Sequence, residues 1–73
     1  MKKKETIGQA LKYQREINGL SQSELARKTG INQQMISWWE LDKGLPGIEP
    51  CITLADFYGI SLDDLVGREL LEK

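Results

Sequence analysis

Glycine punctuation constrains this chain more than any other feature. Gly19, Gly30, Gly44, Gly47, Gly59 and Gly67 interrupt it at short intervals, and the stretches between them carry apolar residues at helical spacing. Helices here must be short, so a fold is reached only by packing several of them together. The spacing predicts five. The first covers about residues 6–18, with Ile7, Ala10, Leu11 and Ile17 near one face and Gly19 ending it. Ser21-x-x-Glu24 forms a capping box that opens the second, and Leu20 is placed to staple onto Leu25 across it. Asn32 caps a third helix running to about Leu41. The fourth begins near Ile48 and tolerates Pro50, because a first-turn proline forfeits no intrahelical N–H bond. It turns Ile48, Cys51, Ile52, Ala55 and Tyr58 inward. Ser61-x-x-Asp64 starts the fifth, which carries Leu62, Leu65 and Val66. No alternating pattern of useful length is present, so the expected class is all-α.

Size and composition narrow the function. A chain of 73 residues makes one small domain, burying only about 60% of the surface its unfolded form exposes. No apolar run approaches the ~18 residues of a membrane span. Met1-Lys2-Lys3-Lys4 leads into Glu5-Thr6 rather than an apolar stretch, so it is not a secretory signal, and the expected address is cytoplasmic. One cysteine and no histidine exclude an intramolecular disulfide and argue against zinc. With no histidine, no phosphate-binding glycine motif and no recognisable carboxylate pair, neither catalysis nor a cofactor is expected. Residues 1–45 hold eight Lys/Arg and five Asp/Glu, a net +3, whereas residues 46–73 hold two and six, a net −4. That asymmetry is either a nucleic-acid-facing front half or scatter in a short chain. Residues 1–5 are expected to form a flexible basic arm, 6–67 the folded domain, and 68–73 a tail or helix extension. Leu70 and Leu71 in that tail suit either a dimer contact or a frayed end.

The second and third helices carry the functional signal. Two short helices joined by Thr29-Gly30-Ile31-Asn32 match a helix-turn-helix, whose second helix enters the DNA major groove. At about 100° per residue, Met35, Ile36 and Trp39 fall roughly 200–300° from Gln33 and form an apolar wall. Gln34 and Ser37 stay within roughly 100° of Gln33 on the opposite side, with Leu41 at about 80° and Trp38 at about 140°. Such a face is either simply solvated or a reader of base edges, since amides pair with adenine N6 and N7. The turn and capping signals favour reading. Cys51 is expected to be a small core residue, Trp39, Met35, Phe57 and Tyr58 core or core-edge, and Tyr13 a partly exposed aromatic.

Leu20-Ser21-Gln22-Ser23-Glu24-Leu25-Ala26, Thr29-Gly30-Ile31 and Ile36-Ser37-Trp38-Trp39-Glu40 together resemble the Cro/phage-repressor (Xre-type) helix-turn-helix family. The likeness continues through Lys43, Pro46, Leu54-Ala55 and Gly59-Ile60-Ser61-Leu62-Asp63-Asp64-Leu65 without a gap. It implies a five-helix, lambda-repressor-like domain that binds double-stranded DNA operators as a homodimer and regulates transcription, usually as a repressor. Gln22 matches a phosphate-binding position that also braces the reading helix. Gln33 and Gln34 match base contacts, and Asn32 and Ser37 match phosphate or base contacts. Arg15 and Glu40 match a structural ion pair between the first and third helices, with phosphate contact as the alternative for Arg15.

Two departures stand out. Trp38 occupies a position usually filled by a polar or basic reader, and with Leu41 it leaves an apolar patch. It suits a thymine methyl, a sugar edge or a protein partner, for instance in an antitoxin-like module. The loop Leu41-Asp42-Lys43-Gly44-Leu45 is poor in cations, leaving Lys43 as its phosphate ligand and implying a shallow salt dependence. Asp42 stands where a helix-ending glycine is common, so a shifted or longer turn is expected there.

Overall fold

Side-chain caps decide where four of the five described helices begin. In the computed structural model, which describes residues 6–68, Thr6 accepts from the Gln9 N–H, and Gln9 returns a bond to the Thr6 N–H, starting α1 (Ile7–Ile17). Ser21 and Glu24 form the same reciprocal box ahead of α2 (Gln22–Thr29). Asn32 accepts from the Gln34 and Met35 N–H groups at the head of α3 (Gln33–Glu40). α4 (Ile48–Tyr58) follows Gly47, and Ser61 caps α5 (Leu62–Val66). Each cap satisfies N–H groups that the first helical turn leaves unpaired, worth ~1 kcal/mol apiece. Among the described residues all regular structure is helical. The basic arm at 1–5 and Leu70–Leu71 lie outside those residues.

α1 packs against α3 and α5, α2 against α3 and α4, and α4 against α5. Their shared core is Leu11, Leu25, Ile36, Trp39, Cys51, Leu54, Ala55 and Leu65, with Ile7, Leu20, Ala26, Ile31, Tyr58 and Ile60 at its edge. Several inward faces differ from the apolar pattern. Met35 is exposed, because buried Glu40 shares the inner line of α3 with Ile36 and Trp39 and rotates it away from Met35. On α1 the inner line likewise runs through Gly8, Leu11 and Arg15, and Ile17, the last residue of the helix, is exposed. α4 carries two adjacent apolar stripes. Its neighbours cover Cys51, Leu54 and Ala55, leaving Ile48 65% and Ile52 44% exposed. Phe57 is also exposed, in an edge-to-face pair with half-buried Tyr58 at 5.2 Å.

The end of α3 also departs from expectation. No longer turn is inserted; Asp42 itself adopts the left-handed conformation at φ 60°. The N–H groups of Asp42 and Lys43 bond back to the carbonyls of Trp39 and Trp38, both at 3.0 Å, closing the helix directly after Glu40. A non-glycine residue here costs ~1–2 kcal/mol of backbone strain, least for Asp and Asn. Asp42 offsets it with its side chain, which accepts from the Gly8 N–H at 3.0 Å and the Thr6 hydroxyl at 2.7 Å. A carboxylate so placed satisfies an orphan donor and complements the positive end of the α1 dipole. The close approach requires Gly8: a Cβ there would collide with the Trp39 carbonyl and lie 2.6 Å from Asp42 Oδ1.

Candidate nucleic-acid interface

The turn between α2 and α3 is held locally. Gly30 takes φ 80°, its N–H bonding the Ala26 carbonyl at 2.8 Å. Thr29 Oγ1 donates to the Leu25 carbonyl and accepts from the Ile31 N–H, so the chain enters α3 in a set direction. Gln33 and Gln34, the first residues of α3, are exposed, and Ser37 one turn later is half-buried. Asn32 stands beside them, but its Oδ1 is committed to the cap, leaving the amide NH2 as its free donor.

Behind this face, Arg15 and Glu40 pair fork to fork. Arg15 Nε lies 2.8 Å from Glu40 Oε2 and Arg15 Nη2 lies 2.9 Å from Oε1, both residues being buried. Arg15 Nη1 also donates to the Leu20 carbonyl at 2.8 Å, and Gln22 Nε2 donates to Glu40 Oε1 at 2.9 Å. One carboxylate thus ties α1, the head of α2 and the tail of α3 together. The hydrogen bond to Glu40 raises the Arg15 pKa above its ordinary value, against the opposing effect of burial. Near the pair, burial pushes the Tyr58 phenol up to about 12, and its buried hydroxyl has no hydrogen-bond partner. Elsewhere the Ser21 N–H and then its hydroxyl hold Glu24 below the usual carboxylate range, and burial raises the Cys51 thiol.

The candidate residues therefore fall into two groups. Gln33, Gln34, Trp38 and Lys43 are exposed, on α3 and the loop that follows it. Gln22, half-buried, faces the Arg15–Glu40 pair through its amide and joins α3 to α2. Trp38 and Leu41 are 51% and 63% exposed, whereas the neighbouring Trp39 is only 5% exposed. Lys43 is held by its backbone bond to Trp38. The clasp from Asp42 to Gly8 and Thr6 was missed in the pattern, although Thr6-x-x-Gln9 and a glycine inside a helical stretch were its visible signs. Among the described residues no group of three His, Cys, Asp or Glu could hold a metal ion, and no helix is long and apolar enough to cross a membrane.

Residues 11–65 match the model of a helix-turn-helix family. An uncharacterised HTH-type transcriptional regulator of Methanocaldococcus jannaschii is 34% identical over 55 residues, 75% of this chain and 83% of the relative. The HTH-type transcriptional regulator ImmR of Bacillus subtilis is 31% identical over 93% of this chain and 54% of its own. The cryptic phage CTXphi transcriptional repressor RstR of Vibrio cholerae is 34% identical over 85% of this chain and 55% of its own. This chain thus spans about half the length of the latter two. The crystal structure of a transcriptional regulator from Listeria innocua shares the fold, with a TM-score of 0.77 at 24% identity over 93% of this chain and 63% of that one. By its matched residues, its five helices and these relatives, the chain belongs to the Xre, or Cro/C1-type, helix-turn-helix family of transcriptional regulators.

Proposed function

We propose that this chain is a sequence-specific double-stranded DNA-binding regulator that lays α3 in the major groove, binds as a homodimer, and represses transcription by occupying its operator. The observation that carries the reading is the pair of exposed amides, Gln33 and Gln34, at the head of a helix held from behind by Arg15, Glu40 and Gln22. Their donor and acceptor pairs suit base edges, while Asn32 and Ser37 flank them for base or phosphate contacts. Lys43 and the amide of Gln22 supply phosphate contacts that set register rather than sequence. Repression follows from occupancy of the operator alone; among the similar relatives one, in Vibrio, is a repressor and one, in Enterococcus faecalis, an activator. Two-fold pairing would set the half-sites about 34–36 Å apart.

The test is selection of bound sequences from a random duplex library at near-physiological salt. A short inverted repeat is expected, on which Gln33→Ala and Gln34→Ala each lose about 1–3 kcal/mol of base discrimination without unfolding. Each neutralised phosphate contributes about −0.9 to the log–log salt slope, so few cations imply a shallow slope. Equal binding to selected and scrambled duplexes would overturn the reading and leave a protein-interaction module in its place.

A further inference from the structure

Trp38 is the feature of α3 that the reading above does not absorb, and its surroundings say what it does. It follows Gln34 by four residues, one helical turn and about 6 Å along the axis. A placement of α3 along the groove that brings Gln34 to a base edge therefore carries the indole toward a neighbouring base pair. The indole is supported from its inner side. A Cβ on Gly44 would lie 2.5 Å from Trp38 Nε1 and 2.7 Å from Cδ1, so the ring lies directly against the loop backbone. That loop is itself anchored, through the Lys43 N–H to the Trp38 carbonyl and the Asp42 carboxylate to α1. The ring is half exposed, and its Nε1–Cδ1 edge lies against Gly44.

The chemistry of the groove selects the ligand. Among the groups on the major-groove floor the thymine 5-methyl is the apolar one, and apolar side chains recognise it by contact. A protein partner fits less well, since a stable interface takes about 800 Å² per side. An aromatic by itself buries about 150–250 Å², and the exposed apolar residues nearest Trp38 in sequence are Met35, Leu41 and Leu45. The Asp42 carboxylate, the one acid of the loop, is engaged with Gly8 and Thr6.

We propose that Trp38, braced by Gly44, is a specificity residue that reads a thymine 5-methyl group within the operator. This rests on the DNA-binding reading, and the test separates the two. Using the full chain and the duplex recovered by library selection, each thymine of one half-site is replaced in turn by deoxyuridine, which removes only the methyl. Binding is measured for the wild type, Trp38→Gln and Gly44→Ala. Burying one methyl is worth a factor of about four, so one position should cost the wild type about four-fold in affinity. Trp38→Gln should show a ratio near one at that same position while remaining sensitive to changes at the Gln33 and Gln34 contacts. Gly44→Ala, which keeps the indole but displaces it with the added methyl, should reduce the ratio or move it to an adjacent thymine. A merely structural Gly44 would weaken binding to both duplexes equally and leave the ratio intact, overturning its bracing role. A methyl effect unchanged by Trp38→Gln, or absent from the wild type, would overturn the proposal while leaving amide reading in force. Failure to recover any operator would overturn both.

Discussion

Replacing Arg15 with Met should unfold much of what holds α3 in place. The guanidinium makes two bonds to Glu40 and one to the Leu20 carbonyl, and without it the buried carboxylate keeps Gln22 as its hydrogen-bond donor. Removing one partner of such a pair costs about 3–5 kcal/mol, because the remaining charge stays buried and uncompensated. A domain of this size has only about 4–11 kcal/mol of stability in total, at ~0.05–0.15 kcal/mol per residue. With about 4–8 °C lost per kcal/mol, the midpoint should fall by about 12–40 °C. The discriminating partner is Arg15→Met combined with Glu40→Leu, which replaces the pair by apolar groups and should recover most of the loss. Helical circular dichroism followed through urea and thermal unfolding reads both. A loss under about 1 kcal/mol for the single variant, or a double variant no more stable than the single, would refute the assignment of stability to a buried charge pair.

Two further perturbations test neighbouring parts of the fold. Gly8→Ala should cost about 3 kcal/mol or more, because its Cβ meets the Trp39 carbonyl and Asp42, which cannot give way without breaking the clasp; chemical denaturation measures it, and a neutral effect would contradict that packing. Tyr58→Phe should stabilise the fold by about 1–3 kcal/mol, since it deletes a buried hydroxyl with no partner. The raised Tyr58 pKa also sets a pH dependence. Burial disfavours the phenolate, so the fold is unaffected below the unfolded value near 10 and loses stability as the pH climbs from there through about 12; Tyr58→Phe should flatten alkaline unfolding across that window.

Legibility in the sequence followed the range of the interaction concerned. Caps at Ser21, Asn32 and Ser61 act within three residues, and their letters declare them. Gly30 marks the turn for the same reason. The inward face of α4 was harder, because Ile48 and Ile52 offer a stripe as apolar as Cys51, Leu54 and Ala55, and only the arrangement of α2 and α5 chooses between them. Met35 and Ile17 were misplaced by one cause: an apolar count leaves out Arg15 and Glu40, which are buried because they satisfy each other. Resemblance could propose that pair, whereas periodicity could not. The Asp42 clasp spans more than thirty residues, and the support of Trp38 by Gly44 depends on a loop geometry that no local spacing specifies. At the candidate interface, the positions of Gln33 and Gln34 were readable, but Asn32's prior commitment to the cap was visible only with the bonds drawn.

The bond from the Thr6 hydroxyl to Asp42 has a practical corollary for anyone handling this protein. It pins Thr6, just ahead of α1, to the loop that carries Lys43, the loop that the proposed function sets beside DNA. A purification handle or fluorescent fusion ahead of Thr6 would be tethered next to that loop, whereas one beyond Arg68 would be tethered at the C-terminal end of α5, the helix that packs on α1 and α4. The two placements are consequently not equivalent reporters: a label at the front crowds the loop after α3, and one at the back leaves it open.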